Sequence, residues 1–412
     1  MSCSYDRELA YLALRDIESG SWSNLALKQR LGGGKPGSEK KVAGSPAFVR
    51  ELVYGTLRNQ ILLDANIDRF VKKIKTPERI ILRMGFYQLC RMDSVTQYAA
   101  VNESVELAKR YAKGREKLVN GVLRSFIRQG GQLSAEDDRT LYSVQPWIWD
   151  VLCESYGAEK TKAMLGSCLG PAKLSLRRNP LRCGEVEFEA LLEGEAASLL
   201  SSEAYKNGLF SVQGQASQRA VRALAPQPGD FVIDMCAAPG GKSCAAAEMM
   251  QNSGRVLAFD LYPHRVELIR KEAKRLGLDI IEAREADASK PLDVQPAESA
   301  DCVICDVPCS GLGVIKKKPE IKLRASKEEA EALPALQLAI LENAASCLKP
   351  GGRLLYSTCT VIPAENTAVK DKFIKGHPEF ELLAESLTLP DETNDDGFYF
   401  CVLRKRNGKC RF

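Results

Sequence analysis

From Pro226 onward the chain repeats one pattern: a short apolar run that stops at Asp, Cys or a Gly-rich turn, followed by a stretch with helical spacing. The runs are "DFVIDMCAAPGGKS", "RVLAFD", "ADCVICDVPCSGLGV" and "GGRLLYSTCT", with the more polar "EAREADAS" between the second and third. Strands that alternate with helices build βαβ units, and hence a parallel sheet with helices on its faces. In open sheets of this kind ligands gather beyond the carboxyl ends of the strands. The residues at those five ends are therefore the first candidates for chemistry.

The rest of the chain has a different texture. "DRELAYLALRDIE" places Leu9, Leu12, Ala13 and Ile17 on one helical face, and similar stripes recur as far as "AVNESVELAKRYA", which predicts a compact helical bundle. Residues 31–46 are rich in Gly and Lys and lack periodicity, so a loop is expected there; its Gly-Gly-Lys has neither the spacing nor the preceding strand of a phosphate loop. Residues 141–225 mix short helical stretches with the strand-like "KLSLRRN" and "GLFSVQ". The expected organisation is an all-α domain over 1–140, a small α+β subdomain over 141–225 and an α/β Rossmann-like domain over 226–412.

Composition narrows the function classes. The chain has 412 residues, 45% of them hydrophobic, enough for several cores. Its start, "MSCSYDRELA", is charged at once, and no apolar run approaches the ~18 residues of a membrane span, so a cytoplasmic protein without a membrane partner is expected. Fourteen cysteines scattered from Cys3 to Cys410 lack the spacing of a disulfide scaffold and read as free thiols. His264 and His377 lie far from the cysteine cluster, and Cys302 and Cys305 should point to opposite faces of one strand, so no metal is expected. Residues 1–130 hold 23 Lys and Arg against 13 Asp and Glu, whereas the remainder of the chain is net negative. That bias suits a polyanion partner, and it suits a solvated helix surface as well.

At the first strand end, Cys236, Ala237, Ala238, Pro239, Gly240, Gly241 and Lys242 form a turn that opens a helix. Glycines let a ligand approach the backbone, and a helix start offers unpaired N–H groups, so this is the expected cofactor cradle. A Walker A loop would need Gly at position 236, and a dinucleotide fold would need G-x-G-x-x-G; neither is present. Asp260 ends the second run about 20 residues after the glycines, where an acid in nucleotide-binding folds takes ribose hydroxyls. Asp287 offers a further acceptor on the adenine side. Asp306 ends the fourth run and is followed by Pro308 and Cys309; Cys359 ends the fifth. On neighbouring strands the two cysteines would converge beside Asp306, an arrangement that packing alone does not require.

"DMCAAPGGKS", "DVPCSGLGV" and "STCTVIPAEN" together resemble the motifs of the RsmB/Sun (NOL1/NOP2/Sun) family of S-adenosylmethionine-dependent RNA cytosine-5 methyltransferases. The helical N-terminal part resembles the NusB-like RNA-binding domain that, in this family, marks the bacterial enzymes of 16S, or small-subunit, ribosomal RNA. The resemblance implies a class I methyltransferase domain, S-adenosyl-L-methionine as cofactor and ribosomal RNA as partner; a monomer is expected. It implies Cys359 as the nucleophile that adds to carbon 6 of cytosine, and Cys309 as the thiol that helps remove the carbon 5 hydrogen. Asp306, as a protonated carboxyl, would bond ring nitrogen 3, and Lys242 would contact cofactor or target. Two departures stand out: "VIKKKPEIKL" has Lys316, Lys317 and Leu323 where the family shows Arg and an aromatic, and Thr367 follows Glu365 and Asn366 where an acid is common. Methylation of tRNA or another RNA, and a non-catalytic RNA-binding factor, are the alternatives; the second has no use for paired cysteines at strand ends.

Overall fold

The computed structural model describes residues 4–32, 45–193, 199–292, 298–391, 393 and 396–407. The Gly- and Lys-rich loop expected over 31–46 lies for the most part outside the described residues. Packing divides the chain into two units: residues 1–172 with 315–324, and residues 173–314 with 325–412. The three-part division expected from sequence differs in two ways. The stretch 141–225 is shared between the units, and ten residues that follow the Cys309 motif belong to the helical one.

The first unit is helical. Helices α1 (Tyr5–Glu18), α2 (Ser23–Leu31), α3 (Pro46–Arg58), α4 (Gln60–Ile67), α5 (Thr76–Arg91), α6 (Gln97–Tyr111) and α7 (Glu116–Arg128) form the bundle. Their starts follow from local chemistry: Ser45 caps α3 by accepting the Phe48 N–H, with Pro46 at the first helical position, and Thr96 caps α6 by accepting the Ala99 N–H. The apolar stripes meet in one core in which the Phe86 and Phe126 rings stack at 4.1 Å. α8 (Asp138–Leu141), α9 (Pro146–Tyr156) and α10 (Ala158–Ser167) complete the unit with residues 315–324. That returning segment is pinned by buried polar groups. The Lys322 ammonium donates to the carbonyls of Arg58 and Tyr142 at 2.7 and 2.9 Å, and Glu320 accepts the Ser23 N–H at 2.8 Å.

In the second unit, β1 (Leu176–Arg178) and β2 (Phe210–Val212) pair antiparallel. The main sheet contains β3 (Phe231–Asp234), β4 (Arg255–Asp260), β5 (Ile281–Glu285), β6 (Ala300–Asp306), β7 (Leu348–Thr358), β8 (Phe380–Thr388) and β9 (Phe398–Lys405) in the order β5-β4-β3-β6-β7-β9-β8. The first five of these in spatial order are parallel; β9 and β8 are added antiparallel. Strand order reverses between β3 and β6, the switch point where a crevice opens in doubly wound sheets. β6 and β7 are direct neighbours, with Asp306 opposite Ser357. Cys302 and Cys305 join the apolar layers on opposite faces of the sheet, as their odd spacing requires. Among the described residues no helix is long and apolar enough to cross a membrane.

Candidate active site

The turn after β3 is held from three sides. Gly240 has φ +109°, a backbone conformation that L side chains rarely adopt, so the turn itself requires glycine. Asp260 at the end of β4 is buried; its Oδ2 accepts the Ala238 N–H at 3.2 Å and its Oδ1 faces the Arg265 guanidinium at 3.4 Å. Behind the helix Gly241–Met249, Arg177 of β1 reaches in with every arm engaged: Nε and Nη2 pair with Glu248 at 2.9 Å, and Nη1 donates to Gln213 at 2.5 Å and to the Gly241 carbonyl at 2.8 Å. Arg177 has no motif to betray it in the sequence.

The turn is suited to a cofactor rich in donors. Asp234, Asp260 and Asp306 all act electrostatically on the half-buried Cys236 thiol and, with desolvation as the larger cause, raise it above its ordinary value. Asp234 is fully buried, with Oδ2 accepting from the Ser243 hydroxyl at 2.6 Å; its Oδ1 meets no donor among the described residues. Burial pushes the Asp234 carboxyl up to about 7. A sulfonium cofactor with ribose hydroxyls and an ammonium group complements such a set of acceptors. Asp287 is less available than expected from sequence. One of its oxygens accepts the Ser289 N–H and hydroxyl at 3.1 and 2.6 Å, the other pairs with Lys290 at 3.2 Å, and these bonds, Ser289 first, hold the carboxyl below its usual range.

The two cysteines do converge. Cys309 follows β6, Cys359 follows β7, and their Sγ atoms lie 3.2 Å apart; the Cys359 N–H donates to Cys309 Sγ at 3.3 Å. The Cys309 thiol is pushed well above its ordinary value, first by its hydrogen bond with Cys359 and then by burial. Beside them, Lys242 Nζ pairs with Asp306 Oδ2 at 2.7 Å, Ser357 donates to Asp306 Oδ1 at 2.8 Å, and the ammonium lies 5.0 Å from the centre of the Phe398 ring. The resemblance implies that Asp306 itself faces the base; in the structure its carboxyl is paired with Lys242, which is the donor next to it.

A buried carboxyl that sequence reasoning left without a role ties both cysteine turns together. Glu365 Oε2 accepts the Ser310 N–H and the Gln337 amide, each at 2.9 Å, and Gln337 also donates to the Pro308 carbonyl at 2.9 Å. The hydroxyls of Ser310 and Thr360 meet at 2.7 Å, and Tyr356 donates to the Glu365 carbonyl at 2.5 Å. Burial raises the Glu365 carboxyl above its usual value. The signal available in sequence was its place in "PAEN", directly after the Cys359 turn.

A seven-stranded sheet with its cradle at the switch point and two thiols on adjacent strand ends defines a methyltransferase of the Rossmann-like class. A family model described as 16S rRNA methyltransferase RsmB/F matches residues 221–404, and the NusB family model matches residues 4–128. "Probable ribosomal RNA small subunit methyltransferase B" of Bacillus subtilis (strain 168) is 35% identical, covering 97% of this chain and 98% of its own length. "Ribosomal RNA small subunit methyltransferase B" of Shewanella oneidensis is 32% identical, over 97% of this chain and 99% of the relative. Among solved structures, that of PH0851 superposes with TM-score 0.81 and 25% identity over 96% of this chain and 97% of that one. NSun6 from Pyrococcus horikoshii, solved with SFG, shares the fold at TM-score 0.56 and 19% identity over 65% of this chain and all of its own. The chain belongs to the ribosomal RNA small subunit methyltransferase B family, and its cofactor is S-adenosylmethionine.

Proposed function

We propose that this protein methylates carbon 5 of a cytosine in small-subunit (16S) ribosomal RNA through a covalent adduct between Cys359 and the base. The observation that carries the reading is the pair of thiols 3.2 Å apart at the ends of β6 and β7, next to the Lys242–Asp306 ion pair. S-adenosylmethionine, when bound, supplies an electrophilic methyl group. Carbon 5 of cytosine is a poor nucleophile, so the Cys359 thiolate first adds at carbon 6 and pushes electrons onto the ring. Lys242, oriented by Asp306, donates to ring nitrogen 3 and stabilises the charge that develops there. Carbon 5 can then accept the methyl group.

The adduct ends when the carbon 5 proton is lost, the ring double bond re-forms and Cys359 leaves as thiolate. Cys309 is the base for that proton. In the resting site its thiol is held protonated, and the first cause is Cys359 itself. With Cys359 bonded to carbon 6 that hydrogen bond is gone, while burial and Glu365 still oppose ionisation, so Cys309 must first release its own proton to solvent before it takes the one on carbon 5. The target cytosine must leave its stack, or lie unpaired, for Cys359 to reach carbon 6.

The test is the pair of single variants with a 16S RNA fragment, read by bisulfite sequencing and denaturing gels. Cys359→Ser should form neither 5-methylcytosine nor adduct; Cys309→Ala should accumulate an RNA adduct that survives denaturant. Adducts formed by Cys359→Ser alone would exchange the two roles. Near-normal turnover in both variants would reduce the pair to packing.

A further inference from the structure

We propose that the groove between α6 and α7 is where this protein holds single-stranded RNA outside the target cytosine; the inference rests on the RNA substrate proposed above. The groove has a volume of about 600 Å³. Its floor is apolar, formed by Val101, Val105 and Ile127, and its rim carries Tyr98, Asn102, Asn120, Lys117, Arg124 and Arg128. On α7 the positions 117, 120, 124 and 128 fall on one helical face, while Val119, Val122, Leu123 and Phe126 are buried in the bundle core. The core therefore fixes which face the cations present.

Three features point to RNA. Tyr98 is 72% exposed, an unusual setting for an aromatic ring and a suitable one for stacking a base. Lys117, Arg124 and Arg128 have no carboxylate within ion-pair distance among the described residues; Arg124 hydrogen bonds to Asn120 and Arg128 to Ser125, each at 2.9 Å. Several other arginines of the bundle are neutralised: Arg30 by Asp16, Arg79 by Asp64 and Asp68, Arg83 by Asp64 and Glu18. The one acid of the groove, Glu116, turns its carboxylate onto the Gly114 N–H at 3.0 Å. Positive charge for phosphates, an exposed ring for bases and amides for base edges is the combination that single-stranded RNA requires. An acidic peptide would use the charge alone. By contrast, Lys109 and Arg110, prominent basic residues in the sequence, are paired with Glu106 and Glu8.

The experiment uses the full chain and a labelled 16S fragment, with binding measured across a salt series and methylation measured separately. Tyr98→Ala should weaken RNA binding roughly tenfold at any salt concentration. The triple variant Lys117→Gln/Arg124→Gln/Arg128→Gln should flatten the slope of log K against log salt by about two, from ~0.7 per phosphate contact on a single strand. In both, KM for RNA should rise while kcat holds, and thermal unfolding should be unchanged because the side chains are exposed. A wild-type slope and KM in the triple variant would overturn the proposal, as would the loss appearing instead in Lys72→Gln/Lys73→Gln/Lys75→Gln, or a defect seen only with ribosomal protein present. Loss of RNA affinity in a protein that forms no 5-methylcytosine would support the groove and refute the chemistry. Unaltered RNA affinity in groove variants that still methylate would refute the groove alone.

Discussion

Replacing Arg177 with Met removes the cation that pairs with Glu248 and ties the Gly241 carbonyl. Both side chains of the pair are almost wholly inaccessible, at 7% and 4% exposure, so solvent cannot take over the role of the missing partner. Breaking a buried pair in this way costs about 3–5 kcal/mol, because the remaining charge is left uncompensated. For a unit of this size, where 1 kcal/mol shifts Tm by about 2–4 °C, the melting point should fall by roughly 6–20 °C. The sign of the pH dependence follows from Glu248. Burial already raises its carboxyl while Arg177 opposes the rise, and without Arg177 it rises further. A carboxyl raised on folding adds no penalty below its unfolded value near 4.3, and a growing one as pH climbs toward the folded value. The deficit of Arg177→Met should therefore be larger at pH 8 than at pH 5. Arg177→Met/Glu248→Gln, which removes the stranded charge, should recover more than half of the loss and flatten the pH dependence. Calorimetry at the two pH values decides it: a fall of less than about 2 °C at pH 8, or a double variant no more stable than the single, would refute the reasoning.

Two further outcomes are expected. Asp260→Ala should weaken S-adenosylmethionine binding by about 1–3 kcal/mol and leave RNA affinity unchanged, measured by titration calorimetry, since a hydrogen bond to a buried carboxylate is of that size; unaltered cofactor affinity would make Asp260 a fastener for the Ala238 and Tyr262 N–H groups only. Lys322 is held by burial at about 7, far below its ordinary value, so the folded first unit binds fewer protons than the unfolded chain between pH 7 and about 10.4. Stability should accordingly rise with pH across that window, on the order of 2 kcal/mol from pH 7 to 9, and Lys322→Met should lose the rise; an identical urea-unfolding profile for both proteins would show that the ammonium is not the cause.

The strand ends were legible because their cues are local. Asp306 and Cys359 each stop a short apolar run, with Cys309 in the turn just after the first, and the parallel βαβ pattern then leaves little freedom in which edge they occupy. The partners of these groups were not legible, because they depend on separations that no periodicity encodes. Lys242 meets Asp306 across 64 residues of chain, and Arg177 meets Glu248 across 71. Asp287 shows the reverse case: a strand-end acid of the right spacing whose carboxylate is occupied by its own turn. The environment of the basic run after Cys309 is equally non-local. In "VIKKKPEIKL", Lys316 and Lys322 are buried in the helical unit, and the Lys322 ammonium donates to backbone carbonyls. Charge counting along a sequence sees the number of cations and not which of them are already satisfied.

The return of residues 315–324 to the helical unit bears on how the chain is made and how it can be cut. A ribosome that has released the first 172 residues has delivered nearly all of that unit, but not the side chains that occupy three of its buried backbone donors and acceptors. The Ser23 N–H and the carbonyls of Arg58 and Tyr142 wait for Glu320 and Lys322, about 150 residues later in synthesis. No single break in the backbone separates the two units cleanly: a fragment ending at 172 lacks these plugs, and one beginning at 173 carries a buried-type segment with nowhere to bury it. Evolution faces the same restriction, since neither unit can be lost or exchanged by one recombination event without leaving part of itself inside the other's reading frame.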